Sequence, residues 1–371
     1  MTRLAIAAAA WFAWVLAPWF CTGTVFAGFA GGTGKLDDPY QIATAEQLIS
    51  IGSNPNLLNK HFVLLNDIDV DPNLPGGRAF VRAVIAPNLS DEALWKGVPF
   101  KGSLDGRGCS IKHLSFQTGI VYYIGLFGGV GKEALIFNLK VEDADLDQQY
   151  GWFQSVLAAR NEGRIVQCQA SGRVSGTARV GVLAGENTGS IIDCQADGEV
   201  YGLHSVGGLV GANVSGTIMN SHATSRVVIT GPTDFNWGGG LVGCSSGGVI
   251  VNCSATGDIC GATGNYLGGL VGDGDAAISN CYSTGNISIE RGGCMLGGLA
   301  GEMGGSINDC YATGKVSTGG YSDSLGGLVG YVYGFVLNSY AAGRVSAGEG
   351  SKHVGGLVGF EEPRGDVEAC F

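Results

Sequence analysis

One short phrase returns again and again along this chain. Gly125-Leu126-Phe127-Gly128 recurs as Gly208-Leu209-Val210-Gly211, Gly240-Leu241-Val242-Gly243 and Gly269-Leu270-Val271-Gly272. It continues as Gly298-Leu299-Ala300-Gly301, Gly327-Leu328-Val329-Gly330 and Gly356-Leu357-Val358-Gly359. Looser copies centre on Leu157 and Leu183, and successive leucines lie 31, 26, 26, 32, 29, 29, 29 and 29 residues apart. Such a period marks a repeat architecture, in which each unit buries its apolar face only against its neighbours. Composition supports an ordered repeat. The 66 glycines come with only 9 prolines and no Gly-X-Y period, which excludes collagen. Charged residues make up 14% and apolar residues 45%, which excludes a disordered chain.

A second station follows each leucine. Ile278-Ser279-Asn280-Cys281-Tyr282-Ser283-Thr284-Gly285 becomes Ile307-Asn308-Asp309-Cys310-Tyr311-Ala312-Thr313-Gly314 in the next repeat. Cys168, Cys194, Cys253, Cys281, Cys310 and Cys370 share one position, with Ser221 and Ser339 in two copies. Each repeat holds short β-type segments with glycine at the corners and no helical period. About 29 residues is short for a propeller blade, and the leucine-rich-repeat phrase is absent. The expected fold is all-β, a β-solenoid with one coil per repeat, rising by about 4.8 Å per coil.

The Gly-Gly-Leu-Val-Gly and Asn-Cys-Tyr-x-Thr-Gly phrases resemble the GLUG-motif repeat family of bacterial secreted and surface proteins, over roughly residues 120–371. The resemblance implies a right-handed parallel β-helix and carries no agreed activity. Some members are IgA-cleaving metallopeptidases with a separate zinc domain, but His-Glu-x-x-His does not occur here.

Stacked coils put equivalent residues above one another. The cysteines are expected to form an interior column of unpaired thiols, because stacked Cβ atoms are too far apart for a relaxed disulfide. The aliphatic residue three before each cysteine also looks interior, so the strand must bend at the intervening Asn or Asp. Asn220, Asn252, Asn280 and Asn338 would stack at that corner and satisfy turn backbone groups. In the Gly-Leu-Val-Gly strand, Leu270 opposes Leu267 and Val271. Either a second bend turns both sets inward, or one set forms an exposed apolar stripe for a partner. The position after the cysteine faces outward. It reads Gln169, Gln195, His222, Ser254, then Tyr282, Tyr311, Tyr340 and Phe371. The aromatic run is either a platform for sugar rings or a self-stacking ladder.

Arg3 precedes an apolar run from Leu4 to Phe20, a polar break, and Val25-Phe26-Ala27. Residues 1–27 therefore read as a secretory signal peptide, with cleavage after Ala30 as a variant and an uncleaved anchor as the competing reading. No other stretch is long and apolar enough to span a membrane as a helix. Residues 28–119 read as a cap with an irregular first coil. Thr44-Ala45-Glu46-Gln47 is a capping box opening a short helix to about Ile51, and His61–Val70 reads as a strand. Residues 120–371 are the solenoid of about nine coils, ending in mid-coil at Phe371 without a second cap. That edge is a candidate for self-association, for a frayed coil or for a truncated frame.

Chemistry is sparse. A net charge of −11 argues against nucleic acid. Asp67, Asp69, Asp71 and Asn73 alternate, but Pro72 and Arg78 occupy the places an EF-hand gives to Gly and Glu. Asp273 and Asp275 could form an acid–base pair, though a polar turn is the simpler reading. The longest repeat carries Thr233-Asp234-Phe235-Asn236-Trp237, a loop suited to ligand contact. No catalytic constellation, cofactor or metal site is expected. The leading reading is an exported, non-enzymatic cell-surface scaffold or adhesion module. The alternatives are a carbohydrate-binding or carbohydrate-active β-helix using Tyr282, Tyr311 and Tyr340 with Asp234 and Trp237, or a fragment of a larger surface protein. Expected partners are a polysaccharide or a surface protein, with no nucleic acid and no membrane after cleavage. Intact mass of the exported protein should begin at Gly28 or Gly31; a retained leader would establish an anchor instead.

Overall fold

Each repeat closes one turn of a coil, and the coils stack in register. The structure, a computed structural model, describes residues 28–75, 77–90, 92–117, 119, 121–147, 150–231 and 236–371. The expected signal peptide lies outside the described residues. One coil shows the plan. Ala277–Ser279 belongs to sheet 1, Tyr282–Ser283 and Ile287–Ile289 to sheet 2, Gly293–Gly297 to sheet 3 and Ala300–Met303 to sheet 4. Among the described residues sheets 3 and 4 have nine strands each, matching the nine leucine stations. Sheet 1 is longer, running from Tyr40–Ile42 to Asp366–Glu368. The strand ladders pair in parallel, as in Ile278↔Ile307 and Tyr282↔Tyr311. The chain is thus the all-β parallel solenoid with an irregular, helix-bearing cap that the repeats predict.

Two of the bends of the coil answer questions the repeat raises. Between sheets 1 and 2, Asn252, Asn280, Asp309 and Asn338 adopt left-handed backbone at φ of 53°, 53°, 54° and 50°. Asn and Asp accept this conformation more readily than other residues with a Cβ. The bend turns Ile278 and Cys281 inward together, each 1% exposed. The corner amides differ from expectation in their partners. Asn220 donates to Asp193 at 2.9 Å and Asn252 to Asn220 at 3.2 Å, so these bonds run along the column and not to the turn backbone. Between sheets 3 and 4 the chain folds at Gly268-Gly269-Leu270. Leu267, Leu270 and Val271 are all fully buried, so both sets face inward and this strand offers no apolar stripe. A Cβ on Gly268 would lie 1.8 Å from the Val271 carbonyl oxygen, and one on Gly269 2.0 Å from that of Gly298. Glycine is required there by close approach of backbone, not by φ.

The cysteine column explains its own substitutions. Each thiol donates to the carbonyl two residues before it, Cys281 to Ser279 at 3.1 Å and Cys253 to Val251 at 3.2 Å. Sulfurs also accept the amide N–H of the residue one coil before, Cys253 N to Cys281 Sγ at 3.3 Å, Cys281 N to Cys310 Sγ at 3.4 Å and Ser339 N to Cys370 Sγ at 3.4 Å. Ser221 and Ser339 reproduce both bonds through Oγ. The ten described cysteines are unpaired. Burial holds the Cys194 thiol well above its ordinary value, and the bond with Cys253, assisted by burial, lifts Cys281 to about 12. The same bond lowers its partner Cys253, while Cys194 and Cys281 are kept neutral and inert.

A second polar column escaped sequence reading. Asn161, Asn187 and Asn213 are fully buried at the corner between sheets 4 and 1. Asn161 donates to Asn187 at 2.7 Å, Asn187 to Asn213 at 2.8 Å and Asn213 to Ser245 at 3.2 Å. Its signal is an offset of 26 residues, legible only once the coil register is known.

In the cap, Thr44 and Gln47 form the reciprocal capping box of helix α1, Ala45–Ser53. His61–Val70 is two strands, His61–Leu64 in sheet 1 and Ile68–Asp69 in sheet 2, because the sheet corner falls between them. Asp67 accepts Ser110 N and Lys112 Nζ, each at 2.9 Å, and Asp69 pairs with His113 at 2.9 Å. These carboxylates fasten the cap to the first coil.

Equilibrium denaturation tests the columns. Cys281→Ser should cost no more than about 1 kcal/mol, while Cys281→Val leaves Cys253 N–H unpaired and should cost about 1–3 kcal/mol. Asn187→Ala breaks a buried ladder on both sides and should cost about 2–4 kcal/mol. Equal losses for the serine and valine variants would show that the thiol hydrogen bonds contribute nothing.

Candidate functional site

The outward aromatic residues form one continuous stack on sheet 2. Ring centroids are 5.0 Å apart for Tyr282–Tyr311, 5.1 Å for Tyr311–Tyr340 and 5.4 Å for Tyr340–Phe371, with planes within 8°. The faces of Tyr311 and Tyr340 lie against neighbouring rings, so a ligand on this surface would meet ring edges and hydroxyls. Toward the cap the same column continues as His222 bonded to Ser254 at 2.8 Å, then Gln195 and Gln169. There it borders a shallow open groove of about 290 Å³, shared with Glu142, Asp197 and Thr224.

Trp237 stands elsewhere, just before the sheet 3 strand Gly238–Gly239. Its ring is 6.4 Å from His204 and 6.3 Å from Tyr266. Asp234 lies outside the described residues. The tyrosines and Trp237 therefore stand apart, the former on sheet 2 and the latter at the entry to sheet 3.

Sheets 3 and 4 carry a further row of polar and aromatic groups. At the cap end, Trp95 meets Tyr123 edge-on at 5.0 Å, and Tyr123 stacks on Phe153 at 4.2 Å. Arg179 lies 4.8 Å over Phe153 and pairs with Glu186, which also meets Arg160 at 3.3 Å. Further along, Asp273 is in register with Glu302, and Glu302 with Tyr331. Tyr333 donates to Asp275 at 3.1 Å and Tyr331 to Glu362. Glu302 and Glu362 become visible from sequence only through the 29-residue offset that stacks them near Asp273 and Asp275.

This row has unusual acidity. Burial, aided by Asp275, raises the Asp273 carboxyl to about 6. Burial, then the charges of Asp273, Asp275 and Glu362, raises Glu302 to about 7. Among the described residues no three His, Cys, Asp or Glu side chains converge as a metal site requires.

Fold and columns together define the class, a parallel β-solenoid built from ladders of like residues. Three of its repeats match the GLUG motif, over residues 202–228, 263–288 and 292–317. Halomucin of Haloquadratum walsbyi is 32% identical over 164 residues, 43% of this chain and 2% of halomucin. A provisionally named Gly-rich membrane protein of Evansella cellulosilytica is 34% identical over 116 residues, 30% of this chain and 12% of that protein. The chain thus spans a small part of both relatives. A crystal structure of a provisionally named immunoglobulin A1 protease from Bacteroides ovatus shares 21% identity over 78% of this chain and 80% of that one, with a TM-score of 0.48. Among the described residues no helix is long and apolar enough to cross a membrane.

The raised carboxyls give a pH prediction. A folded-state pKa above the ordinary 3.8 of Asp and 4.5 of Glu stabilises the fold fully below those values and loses that stability as pH rises through about 6 to 7. The double variant Asp273→Asn/Glu302→Gln should gain about 1–2 kcal/mol at pH 8, after discounting for solvent screening, and almost nothing at pH 4. Denaturation midpoints at the two pH values check this; a parallel offset at both would mean the carboxyls ionise freely.

Proposed function

We propose that this chain is part of an exported cell-surface protein and acts as a rigid, non-enzymatic scaffold or adhesion module. One observation carries the reading: the same positions stack on their own copies, coil after coil, and their polar groups bond to the next coil. The names halomucin and Gly-rich membrane protein favour a surface setting. A polysaccharide or another surface protein is the expected partner. Self-association through the half-exposed coil bearing Leu357 and Val358 is a further route.

A second reading is carbohydrate binding along Tyr282, Tyr311 and Tyr340, with Trp237 and Asp234 as a separate contact. The half-exposed row of phenol edges beside Thr284 and Thr313 favours it. A polysaccharide array with the purified chain separates the readings. The scaffold reading expects no release of new reducing ends from any substrate, and measurable turnover would overturn it. Binding that falls at least tenfold in Tyr311→Ala would establish the second reading. Unchanged binding, with a stability loss of about 1–2 kcal/mol in that variant, would leave the ladder a structural device.

A further inference from the structure

The repeat is uneven in one place. The two 26-residue spacings, Leu157 to Leu183 and Leu183 to Leu209, lie between spacings of 31 and 32. The missing residues come from the corner between sheets 2 and 3. The inward pairs Val174 to Val180 and Val200 to Val206 are six positions apart, whereas Ile259 to Leu267 is eight and Val227 to Gly238 eleven. The tight corners at 176–177 and at Leu203 therefore sit between coils that place more residues between the same two strands, from Asp147 to Trp152 and from Ile229 to Gly238. A notch lies in the side of the rod beside these tight corners. It has a volume of about 390 Å³ and is lined by Tyr150, Arg173, Ser175, Tyr201, Leu203 and Thr230.

The chemistry of this notch differs from that of the ladders. On the outer face of sheet 2, Asp145, Arg173, Glu199 and Arg226 are successive partners in register. Glu199 is already engaged: it accepts Tyr201 Oη at 2.7 Å and pairs with Arg226 at 3.5 Å. Arg173 has no carboxylate within ion-pair distance among the described residues, and its guanidinium lies 4.9 Å over the Tyr201 ring. Tyr201 thus holds a cation in place at the edge of the notch, with its hydroxyl fixed on Glu199. Tyr150 stands on the rim, 65% exposed. A stacked guanidinium presents its planar fork to a carboxylate, and an exposed aromatic ring offers a face to a sugar. Thr230 adds a hydroxyl on the far wall.

We infer that this notch is a binding site for a carboxylated sugar unit of an acidic polysaccharide, with Arg173 on the carboxylate and Tyr150 against the ring. The site shares its ligand class with the carbohydrate reading above but none of its residues. Tyr150 and Thr230 belong to coils three apart, about 14 Å along the rod, so a short stretch of polysaccharide lying along the axis spans the notch.

Titration calorimetry of the full chain with a hexuronate tetrasaccharide, and with its carboxyl-reduced counterpart, tests the site. The acidic tetramer should bind, and the reduced one at least tenfold more weakly. R173Q and Tyr150→Ala should each weaken the acidic tetramer at least tenfold with unchanged thermal midpoints, since both side chains are on the surface. Tyr311→Ala should leave this binding unchanged. Absence of binding, equal binding of the reduced tetramer, or indifference to both notch variants overturns the proposal. Binding lost in Tyr311→Ala but kept in R173Q overturns the notch while sustaining the tyrosine ladder.

Discussion

Parallel stacking at about 4.8 Å sets each residue beside its own copy, and the rest of the molecule answers to that constraint. A position can repeat only if the residue is a good neighbour to itself. Cysteine passes because the thiol donates to its own coil and accepts from the adjacent one, and serine passes for the same reason. Asparagine passes because its amide carries both a donor and an acceptor, so Asn161, Asn187 and Asn213 bond head to tail in the interior. Tyrosine passes because its ring stacks on the next. Like charges do not pass, and the outer column from Asp145 through Arg173, Glu199 and Arg226 alternates in sign instead.

Where that constraint reaches the sequence as a period, the fold is legible. The leucine, isoleucine and cysteine stations give the coil, and the three-residue offset from Ile278 to Cys281 requires a bend at Asn280, whose φ is 53°. The capping box at Thr44 is legible because it is local. Other features leave no local mark. Tyr266, Met295 and Ser324 take left-handed backbone at φ of 56°, 56° and 58°, although nothing in these side chains favours it. The stacked coil imposes that conformation, and the hydrogen bonds of the sheet outweigh a local cost of about 1–2 kcal/mol per residue. The break of His61–Val70 into two strands was hidden for the same reason: where a strand turns depends on the coil beneath it.

The candidate sites follow the opposite logic. Asp273 above Glu302 is the stacked pair of like charges that the rule forbids, and burial and the charges of neighbouring carboxylates make both weaker acids, so they hold their protons only up to about pH 6 and 7. In linear sequence Asp273 and Asp275 have the form of a polar turn, because the partner carboxylates lie one and three coils away. Trp237 and the tyrosines looked like one constellation for the converse reason. Linear order says which coil a residue belongs to, whereas the position within the repeat says which sheet it occupies.

Corners are where such a rod can specialise. The inward positions on either side of the sheet 2 to sheet 3 corner stay paired in register whether six or eleven residues separate them, so the corner can lengthen without disturbing the core. A rigid core then fixes the spacing between corners in whole coil rises, so side chains at neighbouring corners are held at defined separations. The ladders hold the rod together and are alike from coil to coil. The side chains that differ from coil to coil, Arg173 with its uncommitted charge and Tyr150 on the rim, are therefore the ones free to recognise something other than the next coil.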